Sequence, residues 1–287
     1  MTSNTSNTSN TSNTSNTSNA GNQGNPVGGW VFQDRVNYPF VNDQLSQVDT
    51  GHMAPTPQGY NDTAWGAYWI AWQSLTQFVQ GNWKTGITCP DTIPKTQPDI
   101  DNEFTILFDY ARFERADALG EIVAQANETI SYFMGVMSAS QHSHPNSHAL
   151  LHAASLAATF MAHYHKGQFK RQRPSHLAPA LLPPLEVPGH ASYPSGHATQ
   201  AHLMALAMDE AMASPKYDPQ IKNLTAMAKR IARNREIAGL HYPSDSTGGA
   251  GLAASVLFYV KTAVDGGGNP VCKVFQDLIA SAAGEWP

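Results

Sequence analysis

The stretch from His190 to His202 reads His-Ala-Ser-Tyr-Pro-Ser-Gly-His-Ala-Thr-Gln-Ala-His and holds groups suited to chemistry on an anion. At its centre, Pro194-Ser195-Gly196-His197 breaks the backbone and restarts it as a helix through Leu203, Leu206, Ala207 and Ala211. Ser195 is placed to be the N-cap, with the free N–H groups of Gly196 and its neighbours pointing out of the new helix. A helix N-terminus carries partial positive charge and open donors, so it seats an anion, and a histidine there can pass a proton to or from it. A second cluster follows. Arg235 precedes His241 by six residues and Asp245 follows it by four. A carboxylate beside a histidine fixes its tautomer and strengthens the other ring nitrogen as nucleophile or ligand. Upstream, Lys166 and Arg173 stand seven apart before Pro174. If one helix spans both, they lie about 10 Å apart along one face, within reach of a shared anion.

These clusters need helices to carry them. Pro145 opens a long helix through Phe160, Met161 and Tyr164 to Lys166. A second runs from Ile221 to Ile237 with Leu224, Met227, Ala228, Ile231 and Ala232 on one side. Gly239 suits a left-handed stop, and a third helix after Asp245 contains Leu252, Val256 and Leu257. Nearer the N-terminus, Ala64 to Gln80 is helical, and its Trp65, Trp69 and Trp72 share one face, which is expected to pack into the core. Gly81 to Pro98 reads as a loop. Asp101 is the expected cap of a helix with Phe104, Leu107 and Phe108 that runs past Gly120, and another helix covers Glu121 to Met137. With no long alternating run, the expected fold is all-α.

His148 and His152 lie four apart on the long helix, a spacing that can bind zinc. No Glu follows the first of them, so surface or hydrogen-bonded histidines are the better reading, and no metal cation is expected. Cys89 and Cys272 could pair in an oxidising compartment or stay as free buried thiols.

Residues 2–19 are six copies of Thr-Ser-Asn, without an apolar or charged side chain, and are expected to be disordered with the glycine-rich residues up to 29. Residues 30–287 are expected to form a single helical catalytic domain. The sequence shows neither the basic and apolar regions of a signal peptide nor a run of ~20 apolar residues, so a soluble protein of unassigned compartment is expected. Hydrophobic residues make up 41% of the chain and charged residues 14%, and the formal net charge of −5 argues against a nucleic-acid partner. Yet nine of the 17 Lys and Arg fall in two windows, Lys166 to Arg173 and Lys222 to Arg235, as expected of a local anion site.

Three motifs therefore stand in order: Lys166-x6-Arg173-Pro174, Pro194-Ser195-Gly196-His197 and Arg235-x5-His241-x3-Asp245. Together they resemble the signature of the superfamily of acid phosphatases, type 2 phosphatidic acid phosphatases and vanadium-dependent haloperoxidases. The resemblance is clear from about Lys166 to Asp245. One departure is Asn234, where the family usually has Ser before its Arg. The resemblance implies a helical bundle of that type. Lys166, Arg173, Arg235, the Ser195 hydroxyl and the Gly196 N–H would hold an oxyanion. His241, oriented by Asp245, would bond its central atom, and His197 would be the acid–base opposite. With phosphorus in the site the enzyme is a phosphomonoesterase working through a phosphohistidine, without cofactor. With vanadate it is a haloperoxidase using halide and hydrogen peroxide, His241 being the vanadate ligand.

The 44 residues from His197 to His241 resemble the compact spacing of soluble bacterial acid phosphatases. His190, seven residues before His197, resembles a histidine of algal bromoperoxidases and implies a place on the halide or peroxide side. The hydrolase reading, with a small phosphoester substrate, stands ahead. The lipid-phosphatase branch is set aside because its members span membranes. A homo-oligomer is compatible with either reading.

Overall fold

Among the described residues, 65–287 of the computed structural model, the chain runs α1 (Ala67–Phe78), α2 (Trp83–Gly86), α3 (Gln97–Phe113), α4 (Arg115–Ala124), α5 (Ile130–Val136), α6 (Pro145–Phe169), α7 (Pro174–Leu177), α8 (Gly196–Ala211), α9 (Asp218–Ile237), α10 (Pro243–Thr262) and α11 (Lys273–Ala283). The Thr-Ser-Asn leader and the expected domain start at residue 30 lie outside those residues. Strand-like pairing among the described residues is confined to one isolated bridge, Val264 to Pro270. The fold is all-α.

Most of α8 is buried: Ala198, Ala201, Leu203, Met204, Ala205, Ala207, Met208 and Ala211 are covered by other helices, while His202, Leu206 and Glu210 are partly exposed and Asp209 is exposed on the remaining face. α6, α9 and α10 pack directly on it, while α1 and α11 cover α6. The many alanines let these axes approach closely. Ala67–Pro287 forms one compact unit. Among the described residues no helix is long and apolar enough to cross a membrane.

Several boundaries differ from expectation. The cap of α3 is Thr96, whose hydroxyl accepts from Asp99 N–H; Asp101 lies within the helix. α3 ends at Phe113 and α4 begins immediately after Glu114, so the helix of Phe104, Leu107 and Phe108 does not itself run past Gly120. Glu121 to Met137 is likewise split, because Glu128 accepts from Ser131 N–H at 2.9 Å and starts α5 afresh. The expected loop after Gly81 holds the helical turn α2. The tryptophan face of α1 is outside: Trp69 is 58% and Trp72 43% exposed, and Trp65 36%. α1 packs through Ala71, Ser74, Leu75 and Phe78 instead, a smoother stripe that fits against α6.

α6 stops at Phe169, and Lys170 takes the left-handed conformation (φ 52°). Lys166 and Arg173 are therefore not two turns of one helix. Lys166 ends α6, and Arg173 lies in extended backbone before α7. His148 and His152 are neither on the surface nor bonded through Nε2: both are buried, with each Nε2 lacking a partner. Among the described residues no group of three metal-ligating side chains gathers around them. Cys89 and Cys272 are free thiols.

Candidate active site

Three chain reversals place the chemistry. At the first, α6 delivers Lys166 and the left-handed turn at Lys170 sends the chain back past Arg171 and Arg173. At the second, Ser195 caps α8, its hydroxyl accepting from Ala198 N–H at 3.3 Å. The Tyr193–Pro194 peptide before it is cis. At the third, α9 ends in a paired reversal: Leu240 N–H bonds the Arg235 carbonyl at 3.1 Å and Gly239 N–H the Glu236 carbonyl at 2.7 Å. Gly239 has φ 73°, open to glycine at no steric cost, so Arg235 and His241 emerge on either side of one tight turn. Pro243 then starts α10, and Ser195 N–H bonds the Asp245 carbonyl at 3.0 Å, tying α8 to α10.

His241 is held from both sides. Its Nδ1 lies 3.0 Å from Asp245 Oδ2 and its Nε2 3.3 Å from Arg173 Nη1. A guanidinium only donates, so Nε2 presents its lone pair and Nδ1 carries the proton toward the carboxylate. Burial, then the charges of Arg173 and Lys166, push the ring well below its ordinary range, so it is neutral.

Lys166, Arg173 and Arg235 are all buried, and among the described residues none forms an ion pair. Lys166 Nζ donates to the carbonyls of Ala191 (2.9 Å) and Ser192 (2.6 Å). Arg173 donates to the carbonyls of His190 (3.1 Å) and Leu240 (2.9 Å). Arg235 Nη2 donates to the Ile122 carbonyl at 2.6 Å, and its buried Nε has no partner. Burial, with repulsion from Arg173, brings Lys166 down to about 7; burial brings Arg173 and Arg235 each to about 10. Buried cations without a counter-charge are costly, and a bound anion relieves that cost.

His197 stands in the first turn of α8, half-buried. Burial and then Arg235 push it down to about 3, while the carbonyls of Ala126 and Gln125 favour its charged form. Its charge opposes that of His241, so the two rings face one electrostatic environment. A Cβ added at Gly196 would meet no atom within 4 Å, so local packing does not require glycine there. His190 lies exposed at the rim with its Nδ1 3.1 Å from Arg173 Nη2, and burial of its ring lowers it to about 4. Asn234 turns away from this centre: its Nδ2 donates to Glu121 Oε2 (3.0 Å) and Gln125 Oε1 (2.8 Å), bracing the chain that carries the Gln125 carbonyl.

The structure thus gathers Arg173, His190, His241 and Asp245 through direct contacts, with Lys166, His197 and Arg235 coupled to them by charge. Sequence reasoning missed Ser192, whose hydroxyl donates to Asp245 Oδ2. It also missed Glu103, on α3, and the part of Arg171, which had stood out only as one of a basic cluster. Ser192 lies inside the His190–His202 phrase and was open to notice. Glu103 carries no local signal, since its partners are more than 60 residues away.

No family model matches the chain. Two curated proteins are similar to part of it: decaprenylphosphoryl-5-phosphoribose phosphatase from two strains of Mycobacterium tuberculosis, CDC 1551 and H37Rv, each 36% identical over 104 residues. The similarity covers 35% of this chain and 54% of each relative, so the chain spans about half the length of the curated phosphatases it matches.

Proposed function

We propose that the chain is a phosphoester hydrolase of the acid phosphatase type. One observation carries this reading: the free nitrogen of a neutral histidine, His241, lies 3.3 Å from the buried, unpaired Arg173, with the buried Lys166 acting on the same ring and the buried Arg235 acting on His197. Such a pocket suits a tetrahedral oxyanion beside a nucleophile. Lys166, Arg173, Arg235, the Ser195 hydroxyl and the Gly196 N–H hold the phosphoryl oxygens. The His241 Nε2 lone pair forms a bond to phosphorus as the P–O ester bond breaks, and the leaving alkoxide takes a proton from His197. Water then attacks phosphorus, the N–P bond breaks, and His197 recovers a proton from that water. At neutral pH His197 is unprotonated without substrate. A phosphate dianion beside it favours its charged form, so substrate itself arms the acid. The partial similarity to decaprenylphosphoryl-5-phosphoribose phosphatase supports hydrolysis.

The contact between His190 and Arg173 favours a second reading, a vanadium-dependent haloperoxidase. The same cations and the unpartnered Arg235 Nε fit vanadate as well as phosphate. Vanadate, when bound, would supply the activation of hydrogen peroxide toward halide. Lys166, Arg173 and Arg235 would hold its oxygens, His241 would be its ligand, and His190 would approach from the rim.

Parallel assays of the full chain, with and without vanadate, decide between them. Hydrolysis of p-nitrophenyl phosphate should be seen, and vanadate should inhibit it far more strongly than sulfate because five-coordinate vanadate resembles the phosphoryl-transfer transition state. Peroxide-dependent bromination by the vanadate-loaded protein, without hydrolysis by the free protein, would overturn the phosphatase reading in favour of the second. Inhibition by vanadate no better than by sulfate would count against both.

A further inference from the structure

Asp245 does more than face His241. Its Oδ2 accepts from Tyr242 N–H at 3.2 Å, from Ser192 Oγ and from His241 Nδ1. Its Oδ1 accepts from Arg171 Nη1 at 2.7 Å. The other arm of Arg171, Nη2, donates to Glu103 Oε2 at 2.6 Å, and the guanidinium stacks over Tyr242, 3.6 Å from the ring centroid. Glu103 is pinned in turn, accepting from Ser244 N–H (2.9 Å) and Ser244 Oγ (2.6 Å), and Arg171 Nη1 also donates to Ser244 Oγ at 2.7 Å. The side chains of Arg171 and Glu103 are 11% and 7% exposed and that of Asp245 is fully buried, so these ion pairs are little screened.

The geometry has a mechanical consequence. A carboxylate bonded at one oxygen only can turn about its Cβ–Cγ bond. With Oδ1 clamped by a guanidinium that is itself stacked and braced, Oδ2 is left facing His241. We propose that Arg171, held by Glu103 and Tyr242, is a positioning residue that aims His241 through Asp245. The row Glu103, Arg171, Asp245, His241 runs from α3 through the turn after α6 to the start of α10. It alternates in charge up to the imidazole, and it fixes the tautomer that leaves Nε2 free. A buried ion network is weak evidence for stability, because desolvation offsets much of its attraction. Its value here is orientation. The proposal rests on the reading that His241 Nε2 is the reacting nitrogen.

The test uses the full chain and the variants Arg171→Met, Arg171→Lys and Glu103→Gln, with p-nitrophenyl phosphate kinetics and nitrogen NMR of the His241 ring. Arg171→Met keeps the stem over Tyr242 and loses both arms. It should lower kcat about 10–100-fold, as loss of a group that orients a ligand from behind usually does, with little change in KM. The His241 signals should pass from one tautomer, protonated at Nδ1, to a mixture. Guanidinium ion in solution should recover part of the lost kcat, and Arg171→Lys should retain part. Glu103→Gln should lose less, in the same direction. Wild-type kcat and an unchanged tautomer in folded Arg171→Met would overturn the proposal. So would a loss that tracks the fraction unfolded. If Arg171→Met fails to fold, Glu103→Gln decides by the same two measures. If wild-type protein hydrolyses no phosphoester, the functional reading fails, while the tautomer of His241 still decides whether Arg171 positions it.

Discussion

A histidine attacks phosphorus only through a nitrogen that carries a lone pair, and at His241 the neighbours choose which one. Arg173 donates at Nε2 and Asp245 accepts at Nδ1. His241→Ala should therefore abolish turnover and weaken vanadate binding. On the proposed reading His197 has a different task, proton transfer, in a pocket whose cations would hold the charge. His197→Ala should lower kcat about 10²–10⁴-fold, the usual worth of general acid–base catalysis, with vanadate affinity closer to normal. Loss of vanadate binding in His197→Ala with retention in His241→Ala would falsify these roles. Lys166 offers a separate measurement. Burial and Arg173 hold it at about 7, so it is mostly neutral at pH 8 in the free protein. A bound oxyanion favours the ammonium, so binding at pH 8 should draw in about one proton. Sulfate does not titrate in this range and is the clean probe. Calorimetry in buffers of different ionisation enthalpy should show about one proton less taken up by Lys166→Met than by the wild type. Equal heats in all buffers for wild type would contradict the buried, depressed lysine.

Helix ends place these residues, and the ends differ in how plainly they are written. Where an end rests on proline, glycine or a capping serine, the sequence announces it: Pro145, Ser195 and Gly239 all mark boundaries within a residue or two of those observed. Where an end rests on distant partners it does not. Lys170 adopts a left-handed turn that lysine does not advertise, so the sequence left open one helix spanning both Lys166 and Arg173. The tryptophan face of α1 failed for a related reason. Periodicity identifies a face, and only the shape of the neighbouring helix decides which face is buried. The start of α6 is a third instance. Pro145 gave its position, yet its cap comes from the other end of the chain. Glu285 Oε1 accepts from Asn146 N–H at 2.7 Å, and Oε2 accepts from Ser147 N–H at 2.8 Å and Ser147 Oγ at 2.7 Å. A carboxylate at the positive end of a long helix satisfies orphan donors and opposes the dipole. Glu285→Ala should destabilise the fold by roughly 1–2 kcal/mol, lowering Tm by several degrees. Glu285→Gln should fall between. A thermal melt of Glu285→Ala superimposable on wild type would remove the cap from the account.

At the scale of the whole molecule, the interior titrates against the fold on the acid side. His148, His152 and His165 are buried on α6, each with an Nε2 that no group partners. Burial pushes all three below their ordinary value, and His152, beside His148, falls to about 3. A base with a lowered value in the folded state binds protons more readily once the chain unfolds. Its contribution to stability is therefore fully present above the ordinary value near 6.5 and is lost as pH falls toward 3. For His152 alone the loss by pH 5 is up to about 2 kcal/mol. His148 compounds it, because charging one imidazole opposes charging the other. The active-site cations act on a different side of the scale. Lys166, at about 7 in the fold, penalises folding fully below that value and less and less as pH rises from there toward 10.5. A bound oxyanion cancels that penalty but leaves the histidines of α6 untouched. Denaturant midpoints should thus fall between pH 6.5 and 4 in wild type, more gently in His152→Leu. Phosphate should raise both curves without making them parallel. A wild-type midpoint that stays level across that interval, or a His152→Leu variant that falls as steeply, would show that these buried imidazoles do not govern acid stability.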